Sequence, residues 1–277
     1  MTEVRGRGHE VIYRTTERRD WENALAKPTD LVLVAGGDGT VGKVAPKLVG
    51  RKTPLSVLPL GTANNLARAL GFSGKVEVLI RQLRDAKPRG FDVGLVRGPW
   101  GKRYVFEGVG GGLLAQYLLG PKKHTEDLST EEEMTLHVCQ LRKLLSRYQA
   151  QEWRLKVDGQ ELHDRFLLFE AMNIRSVGPV LNLAPAAETG DGHFDLVVAR
   201  EAERDTLMDY LAVRLQGKKT PDFPLPACNC QHLRIPWEHS PIHLDDDLWR
   251  EDDDEPPRSG AVEISVLKSA LMIFRPD

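Results

Sequence analysis

The sequence predicts two domains of different class. One is an N-terminal α/β domain on a parallel sheet, residues 1–89; the other is a β-rich, sandwich-like C-terminal domain, residues 90–266. Within residues 30–71, an apolar run, a glycine-rich turn and a helix-spaced segment follow one another twice, the pattern of parallel strands joined by helices. After Gly90 the chain becomes a series of short strands separated by closely spaced turn signals, which points to a sandwich or barrel.

Taken in order, residues 9–14 (HEVIYR) read as a short strand, and Asp20 as the cap of a short helix carrying Trp21, Ala24 and Leu25. Residues 31–35 form an unbroken apolar run, as in a strand covered on both faces. Gly36-Gly37-Asp38-Gly39-Thr40 follows, then Val41, Val44, Ala45, Leu48 and Val49 at helical spacing up to Gly50. The second run, residues 55–60, leads into Gly61-Thr62-Ala63-Asn64-Asn65, then Leu66, Ala69 and Leu70, with a stop at Gly71. Ser73 is expected to cap a helix carrying Val76, Leu79, Ile80 and Leu83.

In the second domain, residues 91–97 and 103–109 read as strands around a turn at 98–101, and the glycine-rich GVGGG follows at 108–112. Thr130 and Glu133 give a capping-box signal. The stripe Met134, Val138, Leu141, Leu145 and Tyr148 reads as core packing rather than a cofactor box. Asp158-Gly159 predicts a hairpin between residues 153–157 and 160–163. Further strands are expected at 166–172, 196–199, 233–235, 242–244 and 262–267.

Composition narrows the function. The 277 residues carry a net charge of −2, with no polyanion-binding signature, so nucleic acid is not the expected partner. No apolar run approaches the roughly 18 residues of a membrane-spanning helix, and MTEVRGRGHE lacks an apolar signal core. A cytoplasmic protein is expected, peripheral wherever it meets a membrane. Three cysteines make no disulfide framework. Cys228, Cys230 and His232 alternate, but their spacing is not a zinc pattern, and free thiols are expected. The acidic segment EDDDEPP, residues 251–257, reads as a solvated loop rather than a cation site.

The two turns carry the chemistry. A strand that feeds a glycine-rich turn and a helix start makes a phosphate cradle, because glycine lets the backbone approach and the first helical N–H groups face the anion. Two such turns at the ends of neighbouring parallel strands would face one crevice. Neither is a Walker A loop nor a dinucleotide fingerprint, and the alternative is two ordinary connections. Asp38 beside a phosphate argues for Mg²⁺ nearby; its alternative is an Asx turn or a helix cap. Thr40 and Thr62 offer hydroxyls, and Asn64 an amide.

GGDGT at 36–40, followed by PLGTANNLAR at 59–68, resembles the catalytic family of diacylglycerol kinases, related to sphingosine kinases and more distantly to NAD kinases. The resemblance implies ATP- and Mg²⁺-dependent transfer of the γ-phosphoryl group to a lipid hydroxyl at a membrane surface. It places nucleotide on Gly36, Gly37, Asp38, Gly39, Thr40, Gly61, Thr62, Asn64 and Asn65, with Asp92 facing the cleft or, alternatively, as a strand-edge charge. Asn65 stands where the family commonly has Asp, and Gly42-Lys43 where many members have Asn-Glu. The family's opening strand with its N-P-x-[SA]-G turn has no counterpart here. Residues 173–195 resemble the family's N-to-D-G segment, which implies a structural Mg²⁺ on Asp191 with backbone carbonyls of Glu188 and His193. His243-Leu244-Asp245-Asp246-Asp247 stands where the family has a strand ending in D-G-E. This implies Asp247 as proton acceptor, or Asp245 if the register slips; Asp38 takes that role in some members, and the alternative for the segment is an acidic loop. The tail, residues 267–277, is expected to return to the first domain, and a homodimer is left open. The rival expectations are a nucleotide-binding protein of this fold without kinase activity, and an NAD kinase, whose downstream G-x-L-G-F segment does not occur here.

Overall fold

Strands β1 (Val32–Gly36) and β2 (Leu55–Pro59) lie side by side in parallel, with Val32 opposite Leu55 and Gly36 opposite Pro59. The computed structural model that contains them describes residues 5–6, 8–99, 101–121, 128–178, 181–216, 222–237, 240–249 and 260–275. It divides into two units, Met1–Phe91 with Ser269–Asp277, and Asp92–Lys268. The acidic segment 251–257 lies outside the described residues.

In the first unit, α1 (Asp38–Val44) follows β1 and buries Val41 and Val44. It tightens into a 3₁₀ turn, Ala45–Lys47, where Pro46 has no N–H to continue an α-helix. Helices α2 (Asn65–Ala69) and α3 (Val76–Gln82) follow β2 and bury Leu66, Ala67 and Leu79. Strand β3 (Lys87–Gly98) leads out of the unit.

The second unit continues with β4 (Gly101–Val105), β5 (Gly108–Gly112), α4 (Leu113–Leu118), α5 (Thr130–Leu145), β6 (Gln151–Val157) and β7 (Gln160–Met172). Then come β8 (Phe194–Arg200), α6 (Arg204–Leu215), β9 (Ala227–Cys230), β10 (His232–Trp237), β11 (Ile242–Leu244), β12 (Asp247–Trp249) and β13 (Gly260–Arg275). The first half of β7 pairs with β6; its second half pairs with β5 and β8, after a register shift between Phe166 and Leu168. That change of partner curls the strands around a core of Val109, Trp153, Phe166, Phe169, Phe194, Ile235, Ile264 and their neighbours. A second core lies under the helices, where Leu113, Val138, Leu141, Leu145, Leu207 and Leu211 pack together. The end of β13 belongs to the first unit, where Ile273 pairs in parallel with Leu55 of β2.

Several local expectations shift. Residues 9–14 form no strand: Ile12 and Tyr13 are exposed, and a strand exists only where a neighbour supplies its hydrogen bonds. Asp20 precedes a 3₁₀ turn, Trp21–Ala26, but its carboxylate is held by Arg18 (3.0 Å) rather than capping the turn. The cap of α3 is Lys75, two residues after Ser73, because Gly74 (φ 102°) turns the chain between them. The capping box of α5 is Ser129 with Glu132, one residue before the expected pair. Strand β1 is only partly covered, since its described partner is β2 alone. The Asp158-Gly159 turn has positive φ at both residues, as a type I′ hairpin requires. Cys228 is exposed, and the buried Cys230 thiol is pushed up to about 12 by burial, which leaves it an inert apolar residue.

Candidate functional site

One candidate region is built from the two turns of the first unit. They pack glycine on glycine: a Cβ placed on Gly61 would lie 2.6 Å from the Gly37 Cα, and one on Gly37 3.0 Å from the Gly61 Cα. Any side chain at either position would force the turns apart. Gly36 makes room for Thr40, whose hydroxyl would lie 2.5 Å from a Cβ there. Asn64 sits in the left-handed region (φ 49°), a conformation asparagine tolerates. Its side chain closes the second turn, accepting the Gly61 N–H (2.9 Å) and donating to the Gly61 carbonyl.

The Asp38 carboxylate accepts the N–H groups of Asn65 (3.0 Å) and Leu66 (3.2 Å). Asp38 is therefore a cap, but of α2 rather than of its own helix. This corrects the expectation that the first N–H groups of both helices stand free for a phosphate, because the first two of α2 are taken. Asn64 likewise serves the turn itself, and the Asn65 side chain is 2% exposed, turned into the unit. Gly39, Gly61 and Thr62 are exposed, and Gly37 and Thr40 are half-buried. These are the groups of the cradle left to meet a ligand.

In the second unit, Asp92 is fully buried. Its carboxylate accepts the Gly192 N–H (2.6 Å), its N–H donates to the Thr189 carbonyl (2.8 Å), and its carbonyl accepts the Asn173 amide (2.9 Å). Asp92, expected to face a cleft, instead anchors the turn that carries Asp191. Asp191 Oδ1 accepts the His193 N–H (2.9 Å), an Asx-type turn, and lies 3.9 Å from the His193 ring Nδ1. Asp195, 8% exposed, has its carboxyl pushed up by burial first, then by Asp191 and by Glu188, with His193 opposing. Three carboxylates thus crowd one turn. A hard divalent cation would relieve that crowding, so the oxygen set of Asp191 with the Glu188 and His193 carbonyls suits Mg²⁺ in its chemistry. Lys268 Nζ, 3.5 Å from the Asp191 carbonyl, places a positive charge there as well.

The acidic hairpin is a separate candidate region of the second unit. Leu244 pairs with Asp247, so Asp245 and Asp246 form the tip between β11 and β12. Asp245 has φ 53°, and its carboxylate accepts the N–H groups of Phe106, Glu107 and Gly108 at 2.7 to 3.2 Å. Its own N–H donates to the Gly108 carbonyl (2.9 Å). Burial raises the Asp245 carboxyl to about 6, and these hydrogen bonds oppose the rise. Asp247 is the opposite case: its side chain is 82% exposed, with Arg103 3.8 Å away across solvent. Such an exposed pair contributes little to stability, so Asp247 is held chiefly by its strand. Of the two acids, Asp245 is committed to the backbone and Asp247 is open to a reaction partner.

One group escaped the sequence. Glu170 is 0% exposed in β7 and meets His243, 1% exposed, in β11 at 2.9 Å. The only signal was a lone acid inside the apolar run LLFEAM.

Two family models match the chain. The diacylglycerol kinase catalytic domain covers residues 3–96, and the YegS C-terminal NAD kinase beta sandwich-like domain covers residues 122–273, more than half of the chain. Diacylglycerol kinase of Bacillus subtilis (strain 168) is 28% identical over 219 residues, 77% of this chain and 69% of that protein. Diacylglycerol kinase of Mycobacterium tuberculosis (strain ATCC 25618 / H37Rv) is 25% identical over 264 residues, 91% of this chain and 79% of that protein. Among solved structures, a diacylglycerol kinase from Bacillus anthracis str. Sterne matches with TM-score 0.68 at 18% identity, over 92% of this chain and 81% of that one. An NAD kinase from Archaeoglobus fulgidus in complex with ATP matches with TM-score 0.53 at 15% identity, over 100% of this chain and 88% of that one. At such identities the structural likeness establishes the fold. No helix among the described residues is long and apolar enough to cross a membrane.

Proposed function

The chain belongs to the diacylglycerol kinase family, a catalytic domain of that type followed by the sandwich-like C-terminal domain, and from that premise we propose that it is an ATP- and Mg²⁺-dependent lipid kinase. It moves the γ-phosphoryl group of ATP to a hydroxyl of a diacylglycerol-like or sphingoid-like lipid presented at a membrane surface. The observation that carries the reading is the pair of strand–turn–helix connections in parallel register, their glycines in contact and Gly39, Gly61 and Thr62 exposed. Such turns hold phosphates through backbone N–H groups and hydroxyls.

In this mechanism Gly37, Gly39, Thr40, Gly61 and Thr62 seat the phosphates, Gly36 leaves room for Thr40, and Asp38, Asn64 and Asn65 fix the turns that do so. Asp191, with the carbonyls of Glu188 and His193, would hold a structural Mg²⁺, and Asp92 acts on that site through the turn it anchors. A Mg²⁺ bound with the nucleotide beside Asp38 would supply neutralisation of phosphate charge. The lipid hydroxyl oxygen bonds to the γ-phosphorus as the bond to the bridging oxygen breaks and ADP leaves. The hydroxyl proton passes to a carboxylate, Asp247 in the first instance, with Asp38 the alternative. A second reading, a nucleotide-binding protein without turnover, is favoured by one observation: Asn65, where the family commonly has an acid, is neutral and buried. Transfer of label from γ-labelled ATP to diacylglycerol in lipid vesicles separates the two.

A further inference from the structure

Strand β5 lies between β7 and β11, and its register sets three residues in one row: Gly110 is opposite Glu170 on one side and opposite His243 on the other. Glu170 and His243 therefore project from the same face, two strands apart, with only a glycine between them. Because Gly110 has no side chain, they meet across it. His243 Nε2 lies 3.0 and 2.9 Å from the two Glu170 oxygens, and a Cβ on Gly110 would collide with that carboxylate.

The other ring nitrogen points along the chain. His243 Nδ1 lies 2.9 Å from the Asp245 carbonyl, an acceptor only, so Nδ1 carries a proton. A second proton lies between Nε2 and the carboxylate. Burial works against the imidazolium, and the Glu170 carboxylate outweighs it, raising His243 to about 9. The row thus ends on Asp245, whose N–H, carbonyl and carboxylate are all engaged, to Gly108, to His243, and to Phe106, Glu107 and Gly108. Asp246 and Asp247 follow directly on this anchored residue.

We propose that Glu170 and His243 are positioning residues that fix the hairpin of residues 245–247 in the geometry it needs to accept the acceptor's proton; this rests on the lipid-kinase reading above. A general base works only within hydrogen-bond reach of the proton it takes, and among the described residues Asp247 has no anchor of its own beyond its strand and an exposed arginine. A buried ion pair is weak evidence for stability, since apolar residues of similar volume often replace one at no cost. Its value here is orientation: the Nδ1–H···O contact works only while Nε2 faces Glu170.

The test is the double variant E170M/H243L beside wild type, with H243L alone as the variant that leaves a buried carboxylate unpaired. Three quantities are read: melting temperature, hydrogen exchange of the amides at Phe106, Glu107, Gly108 and Asp245, and kcat against KM for ATP. The double variant is expected to fold with a melting temperature near wild type, to lose exchange protection at those four amides, and to lose at least about tenfold in kcat with KM for ATP unchanged. Retained protection in a folded double variant overturns the proposal, and so does lost protection with unchanged kcat. The exchange measurement reads the same in a chain that transfers no phosphoryl group, so failure of the kinase reading is distinguishable from failure of this inference. G110A is the independent check: it displaces the Glu170 carboxylate without altering either member of the pair, and it should reproduce the exchange pattern.

Discussion

Asp38 in the first glycine turn accepts the backbone N–H of Asn65, 27 residues later, at 3.0 Å. With the second bond to Leu66 it makes the acid of one turn the cap of the helix that follows the other. The two turns are thereby one structure. A carboxylate in this place organises the cradle before any ligand arrives, and the N–H groups it accepts offset its repulsion of a phosphate.

Asp38→Ala should therefore cost stability as well as activity. Loss of a cap of this kind costs about 0.5–2 kcal/mol, read as a lower denaturant midpoint at unchanged slope. A variant that keeps the wild-type midpoint but loses ATP binding would show that Asp38 acts on the ligand and not on the turn.

Gly61→Ala should abolish nucleotide binding, because its Cβ would lie 2.6 Å from the Gly37 Cα. Gly42→Ala is the contrast: nothing lies within 4 Å of its Cβ, it sits in α1, and it should stabilise by about 1 kcal/mol. Equal effects of the two changes on ATP affinity would remove the packing argument.

If Asp191 anchors Mg²⁺, added Mg²⁺ should raise the melting temperature and a chelator lower it, since a ligand bound only by the folded state stabilises by mass action. In Asp191→Ala both responses should vanish. A wild-type melt indifferent to Mg²⁺ and to chelator argues against the site.

His243 gives the pH dependence a sign. Its folded value is raised to about 9 from 6.5, with Glu170 and Asp245 as the groups facing it. A raised value means the contribution is complete below about pH 6.5 and is lost as pH climbs through about 9. Wild-type melting temperature should fall on that alkaline limb, and H243L should fall less over the same range. Parallel limbs would show that His243 carries no such proton.

Local pattern made much of this molecule legible. The paired turns are written in glycines beside apolar runs, the hairpin in Asp158-Gly159, and the helix over the second core in the spacing of Val138, Leu141 and Leu145. What escaped depends on distance or register. Residues 9–14 read as a short strand and, among the described residues, have no strand to pair with. Ser129 and Thr130 are chemically equivalent caps, and only the fold selects Ser129 with Glu132. The bond from Asp38 to α2 and the row Glu170, Gly110, His243 need strand registers that no local window contains. Asp92 reads as facing a cleft, with a strand-edge charge as the alternative, until the 189–192 turn folds over it.

The measurement that bears most directly on the function is label transfer from γ-labelled ATP, with Mg²⁺, to vesicles containing diacylglycerol, run for wild type and for Asp247→Asn. Label should enter the lipid fraction in wild type, and kcat should fall about 10²–10⁴-fold in the variant with nucleotide affinity nearly unchanged, because the phosphate turns belong to the other unit. A wild-type chain that binds ATP and labels no lipid, diacylglycerol-like or sphingoid, would contradict the kinase assignment.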